Sequence, residues 1–122
     1  MKLLHLLFLF SFPALFSGET GVFLTIKPSG EFCVDGMKFD LVHFGINWNK
    51  SVQSAKSIVP VSPPLSTPGL FRLDADFKAV NGQFRLNETV KTPKRNRADF
   101  HLSLNAPSAI FTNDLAIQFI LP

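Results

Sequence analysis

The sequence predicts an all-β protein, an antiparallel β-sandwich of about seven strands. Several short stretches alternate apolar and polar residues with a period of two, which is typical of strands that bury one face. Asp35-Gly36 and Asn81-Gly82 lie between such stretches and are strong two-residue hairpin signals. No stretch has the apolar spacing of an amphipathic helix, and turns recur every 8–12 residues. An open β-barrel is the alternative, since it has the same local pattern.

The clearest hairpin runs from Leu70 to Lys91, with its turn at Asn81-Gly82. Apolar side chains occupy alternate positions of both strands, so a two-residue type I′ turn would set the register. This register places Ala79 opposite Phe84, Phe77 opposite Leu86, Ala75 opposite Glu88 and Leu73 opposite Val90. On the outer face it puts Lys78 opposite Arg85.

Glu88 breaks the alternation of this hairpin, because it occupies an inward position among apolar residues. A buried charge needs a partner. We therefore expect either an ion pair with a nearby Arg or Lys, or a strand end that curls into solvent.

Five further strands follow from β-branched, aromatic or alternating segments. They are residues 21–27, 31–34, 37–44, 98–105 and 115–121. Residues 58–68 contain four prolines, which predict an extended edge or connector. Between these regions the pattern weakens from Gly45 to Ser57, where a brief helix is possible. The basic residues from Lys91 to Arg97 are expected in a solvated loop.

The N-terminus, Met1 to Phe16, has one basic residue at Lys2 followed by an apolar run, which is typical of a secretory signal peptide. We assign residues 1–18 to the leader and residues 19–122 to a single β-sandwich domain, with a retained membrane span as the less favoured alternative because the run is short. The predicted location is secreted, periplasmic or at the cell envelope. Once Lys2 is removed, the remaining basic side chains barely outnumber the 9 acidic ones. That balance argues against nucleic-acid binding.

The sequence offers no recognisable catalytic, cofactor or metal motif. Cys33 is the single cysteine. An internal disulfide is therefore impossible, and a small buried hydrophobe is the expected role of Cys33. The histidines are scattered, so no nucleophile and base are brought together by spacing. We expect no cofactor, no metal and no catalytic residue in this chain.

The segment from His43 to Asn49 is the best candidate for ligand recognition. Trp48 is flanked by Asn47 and Asn49. An indole face beside amides suits a sugar, whose C–H groups stack on the ring while its hydroxyls bond the amides. We expect Trp48, Asn47 and His43 to line a shallow saccharide-facing patch. The alternative is a tryptophan that fills the sandwich core.

Taken together, the leader, the G-E-F-C-V-D-G-M-K-F turn, the H-F-G-I-N-W segment and the V-N-G-Q-F-R-L-N-E-T-V hairpin resemble the N-terminal β-sandwich of secreted bacterial glycoside hydrolases and related carbohydrate-active proteins. The resemblance implies a non-catalytic accessory domain, or a truncated N-terminal fragment whose partner is a saccharide or a downstream catalytic domain. A free-standing secreted adhesin or structural module is the second possibility, and an enzyme in its own right is the third. The oligomeric state is not predicted.

Overall fold

The computed structural model describes the backbone of residues 2–11 and all of residues 24–122. The described chain is all-β, with one 3₁₀ turn at Ile46–Trp48. Its strands are β1 (Lys2–Ser11), β2 (Leu24–Ile26), β3 (Phe32–Val34), β4 (Met37–Phe44), β5 (Lys50–Val52), β6 (Ile58–Pro60), β7 (Leu65–Thr67), β8 (Leu70–Ala79), β9 (Gly82–Lys94), β10 (Arg97–Ala106) and β11 (Asp114–Ile120).

These strands form two separate antiparallel sheets. The first has the order β1-β10-β9-β8-β6, with β7 also paired to β8. The second has the order β11-β4-β3-β2, with β5 also paired to β4. The predicted β-sandwich is thereby confirmed, and the described strands do not close into the alternative barrel.

The core lies between the inner faces of the two sheets. Phe32 of the second sheet stacks on Phe100 of the first, with ring centroids 4.0 Å apart, and on Phe39 beside it at 4.9 Å. The other apolar side chains that are almost fully buried come from both sheets: Val34, Leu41, Val42, Leu73, Ala75, Phe77, Leu86, Val90, Ala98, Leu102 and Leu104. Much of the aromatic content therefore serves packing.

The central hairpin forms, but its predicted register is wrong by two residues. Phe77 pairs with Phe84, Leu73 with Glu88, and Ala79 with Gly82. The turn residues are Val80 and Asn81, and neither has the positive φ of the predicted type I′ turn. Because the shift is an even number of residues, the inward and outward faces are unchanged.

Charges on the outer face give a physical reason for the observed register. It places Asp76 directly opposite Arg85, whose Nε lies 3.0 Å from Asp76 Oδ1, and sets Lys78 against Gln83. The predicted register would have placed Lys78 opposite Arg85. Opposite charges stabilise a cross-strand pair and like charges destabilise it.

The Asp35-Gly36 hairpin follows its prediction closely. Val34 pairs with Met37 across the turn. Asp35 and Gly36 both have positive φ, at 49° and 84°. This is the backbone that a type I′ turn requires, so the turn signal was sufficient here.

The proline-rich segment forms two short edge strands, as expected. Both β6 and β7 pair with β8 at the margin of the first sheet. The basic segment differs from its prediction: β9 continues to Lys94, Lys94 pairs with Arg97, and only Arg95 and Asn96 form the turn. The basic residues thus lie on a β-hairpin rather than in a loop.

The first ten described residues pair along the margin of the first sheet. β1 runs antiparallel to β10, from Lys2 opposite Ala106 to Ser11 opposite Arg97. The rest of the predicted leader, including the expected cleavage region at Ser17, lies outside the described residues. So does the start of the predicted strand at residues 21–23. In the described part of the chain, no helix is sufficiently long and apolar to span a membrane.

Candidate functional site

The candidate site is a tight turn at the end of β4. Gly45 accepts a hydrogen bond from the backbone N–H of Trp48 at 3.0 Å and donates one to the carbonyl oxygen of Asn49 at 2.8 Å. Asn47 and Trp48 have φ values of 55° and 59°, in the left-handed region. Asn tolerates this conformation well, whereas a bulky residue such as Trp rarely adopts it. The turn is therefore held in an uncommon backbone conformation.

A second loop fixes the base of this turn. The side-chain amide of Asn113 donates to the carbonyl oxygen of Gly45 at 2.9 Å. The backbone N–H of Asn113 donates to the carbonyl oxygen of Phe44 at 2.8 Å. These two bonds anchor the β4 end of the turn to the segment that enters β11.

The indole of Trp48 lies on the surface. It is 63 % exposed, and its edge contacts the ring of Phe44, with centroids 5.9 Å apart at an angle of 60°. Asn47 and Asn49 on either side are also exposed. The positive φ of Trp48 takes this residue out of the strand alternation, so its side chain is not in the core. The structure therefore provides an aromatic surface with flanking amides.

His43 does not belong to this surface. It is 1 % exposed, and its ring packs edge-on against Phe84 of the opposite sheet at 5.1 Å. Its Nε2 lies 3.0 Å from the hydroxyl of Thr112, and burial lowers the pKa of the imidazole below its usual 6.5. His43 supports the turn from beneath, and the expected patch is reduced to Trp48 and its neighbouring amides.

Glu88 is buried and points inward, as the alternation predicts. Its side chain is 1 % exposed, but its partner is an amide rather than the expected Arg or Lys. Gln53 Nε2 donates to Glu88 Oε1 at 3.0 Å and to the carbonyl oxygen of Ser29 at 2.9 Å, while Gln53 Oε1 accepts from the N–H of Leu41 at 3.1 Å. Gln53 thereby connects the two sheets through the core.

The environment of Glu88 favours its neutral form. Burial raises the pKa of Glu88 to about 8; the hydrogen bond from Gln53 acts weakly in the opposite direction, and the charge of Glu31 adds to the increase. Near neutral pH the carboxyl group is thus mostly protonated in the folded protein. The sequence identified this position, but it gave no signal for Gln53, which lies in a polar segment after β5.

Cys33 departs from its expected role. It lies on β3 between the inward residues Phe32 and Val34, so its own side chain faces outward and is only half-buried. It is a free thiol and not a core residue. No cluster of three or more His, Cys, Asp or Glu side chains that could hold a metal ion occurs among the described residues.

A concave surface lies away from Trp48. This cleft, of about 740 Å³, opens where Leu24 and Ile26 of β2 face Phe71 and the basic β9–β10 hairpin. Concavity is the usual mark of a small-molecule site. The cleft is open, however; its cations Lys94 and Arg95 face solvent and Arg97 is paired with Asp99. The exposed aromatic surface at Trp48 is therefore the better candidate.

Comparison with known proteins gives no relative from which a role could be transferred. No protein-family model, no curated protein and no solved structure matches this chain.

Proposed function

We propose that this chain is a non-catalytic, exported β-sandwich that associates with carbohydrate through Trp48. The proposal includes the role of an accessory domain, or of an N-terminal fragment, of a glycoside hydrolase. The observation that carries it is the exposed indole of Trp48 between two exposed amides.

Three features support a sugar as the ligand. An exposed indole offers an apolar face for the axial C–H groups of a pyranose, and amides offer both donors and acceptors to hydroxyl groups. The turn is anchored through Asn113, which limits the entropy lost when a ligand binds. The indole is 63 % exposed rather than enclosed, which suits the side of a polysaccharide chain better than a small molecule that must be enclosed.

The first test is polysaccharide retention. The chain is run through native gels that contain soluble α- or β-glucans and is mixed with insoluble cellulose and chitin. We expect retention by at least one polysaccharide, and we expect Trp48→Ala to reduce it about tenfold or more, because stacking is lost. Since the indole is exposed, the melting temperature of the variant should change little.

Phe111→Ala is the matched control, because Phe111 is also an exposed aromatic residue in a loop, at 55 %. Its removal should leave retention unchanged. Absence of retention by every polysaccharide, or equal loss in the two variants, contradicts carbohydrate binding at Trp48.

A free-standing secreted adhesin or structural module is the second candidate function. It would use the same fold without a sugar ligand. Among the described strands β11 pairs only with β4, which favours this class because an unprotected edge strand is a surface for assembly.

A further inference from the structure

Each sheet has one edge formed by later strands: β6 and β7 in the first sheet and β11 in the second. These two edges differ greatly in how well they are protected against pairing with another strand. At the margin of the first sheet, β6 and β7 are three residues each, and the segment carries Pro60, Pro63, Pro64 and Pro68. Short strands and prolines prevent another strand from pairing there. At the margin of the second sheet, β11 is seven residues long and contains neither proline nor lysine. Among the described strands, β11 pairs only with β4.

β11 also exposes apolar side chains on both faces. Phe119 is 62 % exposed on the inner side, where its ring contacts Phe39 at 6.1 Å. Ile120 is 50 % exposed on the outer side, and Leu121 follows it. A long edge strand with exposed apolar residues and no protecting feature is a site for strand addition.

We propose that β11 pairs antiparallel with β11 of a second copy of this chain, with Ile117 opposite Ile117 on the two-fold axis. This register aligns the strand along its whole length, since Ile117 is the midpoint of Asp114–Ile120. The two five-stranded sheets then become one continuous sheet. An isologous contact of this kind closes on itself and leaves no free β11 edge.

The proposed register covers the exposed inner side chain. It places Phe119 of each copy beside Leu115 of the other, and Ile117 beside its own counterpart. Leu115 and Ile117 already pack against the core of their own copy. The apolar inner face therefore continues across the junction without interruption.

Charge complementarity on the outer face argues for a second copy rather than an unrelated strand. Ile120 pairs with Lys38 of β4, and Asp114 pairs with Phe44. In the proposed register Asp114 of one copy lies beside Ile120 of the other, two strands from Lys38. Neighbouring strands are about 4.8 Å apart, so the Lys38 side chain can extend over Ile120 to the Asp114 carboxylate. The symmetry produces this pair twice, and both residues are exposed.

One strand per copy makes a small interface, which places the complex among weak and reversible ones. Sedimentation velocity of the 122-residue chain over a wide concentration range is the first measurement. We expect a monomer–dimer equilibrium. Asp114→Lys should raise its dissociation constant about fivefold, because two ion pairs become two repulsions. The double variant Lys38→Asp/Asp114→Lys should restore dimerisation.

Lys56→Asp is the charge control, since Lys56 is exposed in the turn between β5 and β6. It should leave the equilibrium unchanged. A chain that remains monomeric at all concentrations, or a dimer that is indifferent to Asp114→Lys, overturns the proposal.

Cysteine cross-linking tests the register itself, in a Cys33→Ser background. Directly opposite residues of an antiparallel pair have Cα atoms about 4.5–5.5 Å apart, which suits a disulfide. Ile117→Cys should therefore cross-link to its own counterpart under mild oxidation. Leu115→Cys should not, because the two residues 115 would be about 13 Å apart, four positions along the strand. Equal cross-linking of the two variants, or cross-linking of Leu115→Cys alone, overturns the register.

Discussion

Among the described side chains, Glu88 is the one carboxyl group that is almost fully buried, at 1 % exposed. A carboxyl group in an apolar core is costly when charged, and one neutral hydrogen bond from Gln53 does not offset that cost. Gly30 makes the enclosure tight: it has a φ of 91°, and a Cβ atom there would lie 2.8 Å from Glu88 Oε1. A residue larger than glycine at position 30 would therefore not fit without rearrangement.

The raised pKa of Glu88 predicts that stability falls as pH rises. Between pH 4.5 and about 8, an unfolded chain has this carboxyl ionised while the folded chain keeps it protonated. The unfolded state then binds fewer protons, so the free energy of unfolding decreases with pH across this window and levels off above it. At about 1.4 kcal/mol per pH unit, the decrease reaches a few kcal/mol. Urea denaturation at a series of pH values measures it.

Glu88→Gln isolates this contribution, since the amide has nearly the same shape and does not ionise. We expect the variant to lose the decrease between pH 5 and 8 and to exceed the parent protein in stability at pH 8.5. His43, whose pKa is lowered by burial, destabilises the fold below pH 6.5 in both proteins, so the difference between them reports Glu88. Asp114→Asn removes an exposed acid and should preserve the decrease. If the free energy of unfolding had the same pH dependence in the parent protein and in Glu88→Gln, Glu88 would not be protonated in the folded state.

For single residues, the sequence predicts burial more readily than it predicts contacts with distant parts of the chain. Alternation along one strand was sufficient to place Glu88 inside, because it depends on local geometry alone. Gln53 reaches Glu88 from 35 positions earlier in the chain, and no local pattern reports such a contact. For Trp48, the sequence did not distinguish a core position from a surface position. The position of its side chain depends on two consecutive left-handed residues in the turn, Asn47 and Trp48.

Among the elements, the β8–β9 hairpin shows how turn and strand signals compete. Asn81-Gly82 favours one turn, but the structure instead places Gly82 in β9 with a φ of 150°. Moving the turn by one position shifts the register by two residues and leaves every apolar side chain on its original face. The hydrophobic pattern therefore could not distinguish the two registers. The cross-strand charges could have done so.

The observed register predicts whether a charge reversal at Arg85 stabilises or destabilises the protein. In the structure Arg85 faces Asp76 and has Asp74 3.8 Å away, so Arg85→Glu should destabilise the protein by about 0.5–1 kcal/mol. In the other register Arg85 would face Lys78, and the same substitution would be stabilising. Thermal denaturation decides between them. Asp76→Arg combined with Arg85→Glu should recover the loss, and Lys56→Glu should be neutral. A stabilised Arg85→Glu protein would contradict the observed pairing.

For the whole molecule, the fold class was accessible from sequence and the sheet order was not. Period-two alternation and the Asp35-Gly36 turn are local, and they were sufficient to predict an antiparallel sandwich. The positions of β6 and β7 at one margin followed from their prolines. β10 follows β9 through a two-residue turn, but its pairing with β1 joins residues separated by most of the chain, so short-range patterns do not encode that second contact.

The N-terminal strand β1 lies within the predicted leader, residues 1–18. Residues 1–18 have the pattern of a signal peptide, yet β1 forms a ten-residue ladder with β10. If the leader is cleaved, β10 becomes an edge strand. Packing among other strands already joins the two sheets, since the stacked rings of Phe32, Phe39 and Phe100 connect β3 and β4 to β10. We therefore expect residues 19–122 to fold without β1.

Hydrogen exchange measured by NMR on residues 1–122 and 19–122 tests this expectation. Backbone amides of a strand point alternately to its two neighbours, so removal of β1 should accelerate exchange at alternate residues of β10 only. The remaining β10 amides, bonded to β9, should stay protected, and unfolding in urea should remain cooperative. Mass spectrometry of the secreted protein should find an N-terminus near Gly18. A 19–122 chain that does not fold, together with an uncleaved N-terminus in cells, would mean that β1 is a permanent strand of the sandwich and that residues 1–18 are not a leader.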